Sequence, residues 1–467
     1  MLGIILTGLA FALFIDRRYV PSLLIFFGLV TNGYQLIPPE WLLAGAPVDK
    51  TTDLALLFLL VALISRGRVL WLTLRREPVF RWVGLFVGFV AVDAVYSVWA
   101  AGYEPGGVLR VFRVNLFLLS FGIFFVVPTP ALLRTFHALA VLTVVQSVIF
   151  LLQIPLGETL LNSSMAGSDV SMTQVDKFAF TRFYNTPVFL TPVLFYYLFQ
   201  FRCRTRVAHL LVVGVLLLTV LAPLHRNYIV GIAVTVGLYL IFQQERSKRM
   251  IYVGLLALVG YGVTLIDVVS YRLEEGFTDF NDTFAGGGSL ATTDYGSNTF
   301  AYRMAHLAER VNYVTEKPLG YVFGIGLLSE DAKQAQRLTF EVGAHDKRTG
   351  QVTQINTGDI AWSLLVLQLG FVGTLLFIVV MVQFVRLFFR HRATPFGAVG
   401  LLTVLTTLII SFAGTELLMI PFRTLLVLLA VTATKAAYQP PSLPTNDPVQ
   451  STIPISVDDE NALILTD

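Results

Sequence analysis

The run at residues 359–385, DIAWSLLVLQLGFVGTLLFIVVMVQFV, decides the fold class, because nothing charged follows Asp359 until Arg386. A helix needs about 20 apolar residues to cross about 30 Å of hydrocarbon, and this run exceeds that length. Working outward from it, about thirteen stretches of the same character are bounded by charge or by Pro and Gly. The others are 2–15, 20–37, 51–65, 82–100, 108–127, 131–154, 183–200, 207–222, 226–243, 249–269, 395–413 and 417–438. Those at 2–15 and 51–65 are short enough to tilt or re-enter, which leaves about 12 to 14 crossings. The composition agrees: 55% of residues are hydrophobic and 13% charged, against about a quarter charged in soluble domains. The expectation is an all-α integral membrane protein.

The chain accordingly divides into N-terminal transmembrane helices at 1–269, a large polar loop at 270–358, C-terminal transmembrane helices at 359–438 and a tail at 439–467. That tail holds five prolines, five acids and no base, and reads as a disordered cytoplasmic end. No positive segment precedes the first apolar run and no small-residue cleavage site follows it, so it is expected to be retained as a span. Cys203, among Arg202, Arg204 and Arg206, has no second cysteine to pair with.

Alternating the spans from an outside N-terminus brings the turns at 16–18, 66–81, 128–134, 202–206, 244–249 and 386–394 to the inner face. They hold about half of the 33 Lys and Arg residues, and basic residues favour the cytoplasmic side. This asymmetry puts the 270–358 loop outside. Within the loop, Tyr302, Ala305, Leu307, Ala308, Val311 and Val314 recur at helical spacing, which predicts a helix over 299–316 lying on the outer face with its polar residues upward. No internal repeat of the kind that marks many transporters is visible.

Arginines on the outer side run against the charge bias. Arg110 and Arg113 sit at the outer end of the fifth stretch, Arg182 precedes the seventh, Arg226 lies in the turn Pro223–Asn227, Arg272 follows the tenth, and Arg303 lies on the loop helix. One such arginine is explained by snorkelling to water. Six of them suit a common purpose, because guanidinium forks pair bidentately with phosphate oxygens and a diphosphate at the membrane surface would engage several at once. Asp93, Asp267, Glu416 and Arg423 fall within apolar surroundings, where a charge faces a partner or a wet cavity. Glu416 and Arg423, seven residues apart, share a helix face, to pair with neighbouring helices or to line a lipid groove. Asp279, Asn281 and Asp282 lack the closing Glu of a calcium loop, and Gly286–Gly288 lack the following Lys-Ser or Lys-Thr of a nucleotide loop, so no metal and no nucleotide is expected.

In the C-terminal half, Leu221-Ala-Pro-Leu-His-Arg-Asn-Tyr-Ile-Val-Gly231 carries an arginine in an outer turn, Arg272 and Arg303 follow in order, then come Pro318-Leu-Gly-Tyr-Val-Phe-Gly-Ile-Gly326 and Leu365–Gly373 with its paired glycines, Gly370 and Gly373. In this order they resemble the arginine-bearing outer turn, the "PLfGiG" signature and the paired-glycine helix of the O-antigen polymerase and ligase superfamily. The likeness covers about residues 180–390.

The resemblance implies a GT-C-like glycosyltransferase of the bacterial inner membrane with its large loop in the periplasm. Its donor would be a glycan on undecaprenyl diphosphate and its acceptor a lipid-linked glycan, with membrane lipid around it and a chain-length regulator protein as a further partner. No cofactor, metal or nucleic acid is implied. Carried onto this chain, Arg226, Arg272 and Arg303 would hold the diphosphate and stabilise the leaving charge, with Arg182 as a fourth. Ligases of the family carry a His-Asn pair before the paired-glycine helix, whereas this chain has Thr357, Gly358 and Asp359. That departure favours a polymerase, with Asp359 as general base toward a sugar hydroxyl. Asp359 equally suits a helix N-cap, and His345 is a second candidate base. The same-fold alternative is a ligase passing the glycan to lipid A core or protein. The alternative of another class is a lipid-linked oligosaccharide flippase or transporter, whose charges would gather at the midplane between similar halves.

Overall fold

The computed structural model describes residues 1–46, 48–65, 67, 77–163, 172–175, 180–243, 299–343, 354–355 and 360–438. Within them the protein is mostly helical. Apolar helices α1 (Leu2–Ile15), α2 (Tyr19–Val30), α3 (Thr51–Ser65), α4 (Pro78–Trp99), α5 (Pro105–Leu116), α6 (Thr129–Leu156), α7 (Leu190–Phe199), α8 (Arg206–Leu221) and α9 (Arg226–Gln243) precede a loop helix, α10 (Thr299–Thr315). Then come α11 (Ala361–Arg390), α12 (Pro395–Ile410) and α13 (Ile420–Tyr438). Strands β1 (Met172–Val175) and β2 (Phe180–Phe183) pair antiparallel between α6 and α7, with Thr173 opposite Arg182.

Among the described residues, five segments are long and apolar enough to cross a membrane: Pro78–Trp99, Pro105–Phe124, Thr129–Leu156, Ala361–Arg390 and Ile420–Ala437. The other apolar helices have 10–18 residues, and at about 1.5 Å per residue 18 residues reach only about 27 Å of the roughly 30 Å needed. An apolar run and a helix are different things. The run at 20–37 is helical only to Val30, because Asn32, Tyr34 and Gln35 take left-handed backbone conformations (φ +54°, +57° and +58°). The run at 183–200 begins with the end of a strand and irregular chain through Pro187, and its helix starts at Leu190. The stretch at 249–269 lies outside the described residues.

The buried faces are rich in phenylalanine. Phe26, Phe27, Phe58, Phe117 and Phe124 are fully buried and pack ring against ring between α2, α3 and the end of the α5 segment. Helix α13 is central, with Leu425 to Val431 all at or below 2% exposure. The peripheral helices instead turn large apolar side chains outward: Trp99 at 85%, Ile64 at 82%, and Val207, Leu210 and Leu211 on α8 above 60%. Exposed apolar faces of this extent belong against lipid rather than water.

Helices α4 and α11 run antiparallel. Residues 77–79 at the start of α4 gather with Arg386, Arg390 and His391 at the end of α11, while Ser97 near the end of α4 donates to Asp93 O and accepts from Leu327 N at 2.8 Å beside the start of α11. Helix α11 is broken at Gly370 (φ +65°, ψ −171°). A break frees backbone groups that need partners in a dry interior. The loop supplies one: Ile325 N donates to Leu367 O at 2.7 Å, and Gln368 Nε2 donates to Leu328 O at 3.0 Å. The two glycine-rich signatures, at 318–326 and 365–373, are thus in direct contact. The approach is so close that a Cβ on Gly324 would overlap the Leu367 carbonyl oxygen.

Candidate functional site

The turn between α8 and α9 carries Arg226. Leu224 bends it with φ +54°, its N–H donates to Leu221 O at 2.9 Å, and Tyr228 and Ile229 N–H both donate to His225 O to start α9. Beneath the turn lies Arg182, 6% exposed. Its Nε donates to Pro223 O at 2.9 Å, its guanidinium stands 5.1 Å from the Tyr184 ring centre, and the Tyr184 and His225 rings are 5.0 Å apart. Arg182 therefore braces the backbone that presents Arg226, which is itself half-buried at the first position of α9.

The loop helix α10 agrees with the helix predicted at 299–316, but its buried face is not apolar throughout. Ala301, Ala305 and Val314 are buried together with His306 (1% exposed) and Arg310 (0%), whereas Leu307, Ala308 and Val311 are only half-buried. His306 Nδ1 lies 2.6 Å from Ser363 Oγ on the first turn of α11. Burial, with the nearby Arg310 charge, pushes the imidazole down to about 3, so the ring is neutral and holds the helix in place rather than accepting protons. Arg310 donates through Nη2 to Gln354 O at 3.1 Å and through Nη1 to Glu309, and lies 3.7 Å over the Phe340 ring. Glu309 in turn accepts from Glu341 N at 2.7 Å and Val342 N at 3.1 Å. One helix thereby ties down the 340–342 and 354–355 segments.

Arg303, half-buried on α10, reaches another element. Its charge acts on the Glu416 carboxylate in the turn between α12 and α13, and Glu416 also acts on the Tyr228 hydroxyl, which bonds Thr191. Tyr228 is two residues beyond Arg226. Helices α9 and α12 are in contact here, where a Cβ on Gly231 would meet Ile410 Cγ2 at 2.6 Å. The turn after α12 is joined to the start of α11 by Trp362 Nε1 donating to Ser411 Oγ at 2.9 Å and by Ala361 N donating to Ser411 O at 3.3 Å.

The α8–α9 turn, the loop helix, the start of α11 and the α12–α13 turn are thus gathered at one end of the bundle. Of the arginines expected to act together, 182, 226 and 303 fall in this neighbourhood. Arg272, Asp359 and His345 lie outside the described residues, although Ile360, next to Asp359, is buried. Glu416, Tyr228 and His306 were not singled out as site residues from sequence. Position 306 follows Arg303 by one helical turn, which is the only local sign of its inward direction. The chain matches no protein-family model, and no curated protein is similar enough to it to count as a match.

Proposed function

We propose that the protein is a polysaccharide polymerase of the bacterial inner membrane, making O-antigen or exopolysaccharide. In this reading about thirteen helices cross the bilayer, the shorter ones tilted or locally thinning it, and the 270–358 loop stands in the periplasm. A hydroxyl at the non-reducing end of a lipid-linked repeat unit attacks the anomeric carbon of a glycan on undecaprenyl diphosphate. The new glycosidic C–O bond forms as the C–O bond to the diphosphate breaks. Asp359 takes the hydroxyl proton, and Arg226, Arg303 and Arg272 stabilise the charge on departing undecaprenyl diphosphate. Arg182 acts at one remove by holding the Arg226 turn.

The observation that carries this reading is the chain of contacts from His306 to Ser363, from Trp362 to Ser411 and from Ile410 to Gly231. It brings the loop helix and the arginine-bearing turn, which lie more than 70 positions apart in the chain, to the same end of an apolar bundle. The test is elongation. Purified protein given a synthetic lipid-linked repeat unit should yield longer lipid-linked products. Transfer only to lipid A core or protein would indicate a ligase, and movement of the lipid across a vesicle membrane without elongation would indicate a flippase. Either result would overturn the proposal.

A further inference from the structure

A cavity of about 540 Å³ lies between α5, the 328–331 segment, the first half of α11 and the turn leading into α13. It is separate from the neighbourhood described above: Arg182, Arg226 and Arg303 do not line it, and Thr415 faces it while the adjacent Glu416 acts on Arg303 and Tyr228. Its size is that of small-molecule sites, about 300–1,000 Å³.

Its charged lining consists of Lys50, Arg110, Arg113, Arg423, Glu330 and Asp331. Most of these are engaged with one another or with backbone. Arg110 pairs with Asp331 at 3.2 Å and approaches Asp49 at 4.0 Å, Arg113 pairs with Asp53, and Glu330 accepts from Gln354 N at 2.8 Å and Ile355 N at 2.6 Å. Arg423 is different. It is 2% exposed, and its partners are neutral: Nη1 donates to Asn115 Oδ1 at 2.7 Å, Nε donates to Leu417 O at 3.3 Å, and the guanidinium carbon stands 5.3 Å from the Phe377 ring centre. Among the described residues no acid pairs with it, and its Nη2 makes no hydrogen bond. A buried cation without a counter-charge is unfavourable. Arg423 also sits in the first turn of α13, where unpaired N–H groups and the helix dipole disfavour a cation and favour an anion. Both features, with Lys50 as a second cation on the lining, are complementary to an anion in the cavity.

We infer that this cavity is a binding site for a phosphate-bearing anion, anchored by Arg423. Asn115 holds the guanidinium through Nη1 and leaves Nη2 for the ligand, and a planar fork suits phosphate oxygens better than an ammonium would. Leu365, Leu369 and Leu418 supply apolar wall, so the phosphate comes either from a lipid headgroup or from a free phosphate compound. The inference does not depend on the transferase reading, because the loss of binding in variants of this cavity's own lining reports it.

The full chain in neutral-lipid nanodiscs, titrated with inorganic diphosphate and separately with farnesyl diphosphate, tests this through melting temperature and calorimetry. A rise in melting temperature with farnesyl diphosphate alone identifies a lipid headgroup as the source; a rise with both identifies the phosphate itself as sufficient. Arg423→Gln should weaken binding about tenfold or more, the scale of a lost charged hydrogen bond, and leave the unliganded protein melting no lower than wild type, because an uncompensated buried charge has been removed. A merely structural arginine would leave the affinity of the folded protein unchanged, and that outcome would overturn the inference. Leu418→Trp, which fills the cavity and keeps the charge, should also block binding and carries the test if Arg423→Gln does not fold. No shift of the wild type with either compound, or undiminished binding in Leu418→Trp, overturns the site.

Discussion

Replacing Gly324 by alanine should destabilise the protein by about 3–7 kcal/mol, through backbone strain and overlap at the crossing of the loop on α11. At φ +60° and ψ −133° the residue occupies a region costly to any side chain, about 1–3 kcal/mol. A Cβ would overlap the Leu367 carbonyl oxygen and stand 2.8 Å from Gly370 N and 2.9 Å from the Leu367 carbonyl carbon. These are backbone atoms of the broken helix, so no rotamer change relieves the overlap, and overpacking of this kind costs about 1–3 kcal/mol. Separation of the two segments would lengthen the 2.7 Å bond from Ile325 N to Leu367 O, worth about 1 kcal/mol. The sum approaches the total stability of an ordinary domain, about 5–15 kcal/mol. Reversible unfolding in mixed micelles measures the difference directly. Gly214→Ala is the control, since a Cβ there meets open space within α8 and should stabilise by up to about 1 kcal/mol. A Gly324→Ala protein within about 1 kcal/mol of wild type would refute the crossing of the two glycine segments.

His306 makes stability depend on acidity. Its folded-state value, about 3, lies below its ordinary 6.5, so the unfolded chain binds the proton more readily; the His306 contribution is intact above about 6.5 and falls away as pH drops toward 3. His306→Gln should flatten that part of the pH–stability profile, and an unchanged slope between pH 6 and about 4 would rule His306 out as its source. Removing Arg310, as Arg310→Met, breaks its bonds to Gln354 and Glu309 and should cost about 3 kcal/mol or more, read as rapid proteolysis at 340–342; Arg310→Lys should rescue little, because the ammonium cannot reproduce the fork. In the elongation assay, Arg226→Ala and Arg303→Ala should each lower the rate by about 10²–10³ with expression unchanged, as loss of one charge-stabilising donor does, and Arg226→Lys should recover part of it. Full activity in Arg226→Ala removes that residue from the reaction.

How far the site was legible depends on the kind of information each residue carries. The loop helix could be read because helical periodicity is local: Tyr302, Ala305, Leu307, Ala308, Val311 and Val314 recur at helical spacing, and the helix observed, Thr299–Thr315, follows. Its inward charges could not, because burying His306 and Arg310 is tolerable only with Ser363, Gln354 and Phe340 beside them, and those residues are distant in the chain. The arginines at 182, 226 and 303 stood out by their positions. The division of labour between them did not: that Arg182 lies under the turn follows from β2 packing against Pro223, a contact between segments 41 residues apart.

Sequence alone determined that this chain is helical and suited to a membrane, since apolar length and scarcity of charge are properties of segments and need no partner. The resemblance also drew attention to the glycine-bearing segments 318–326 and 365–373. Tertiary structure decided where helices end, as at Val30 and Leu190, why those glycines are needed, since two backbones meet there, and which buried charges are satisfied. Arg423 and Glu416, read from sequence as equivalent polar intrusions on one helix face, were separated by their surroundings: one is held by neutral groups at a cavity, the other lies under the charge of Arg303. Charge balance in a dry interior is set by neighbours in space, and those neighbours are chosen by the packing of the whole bundle.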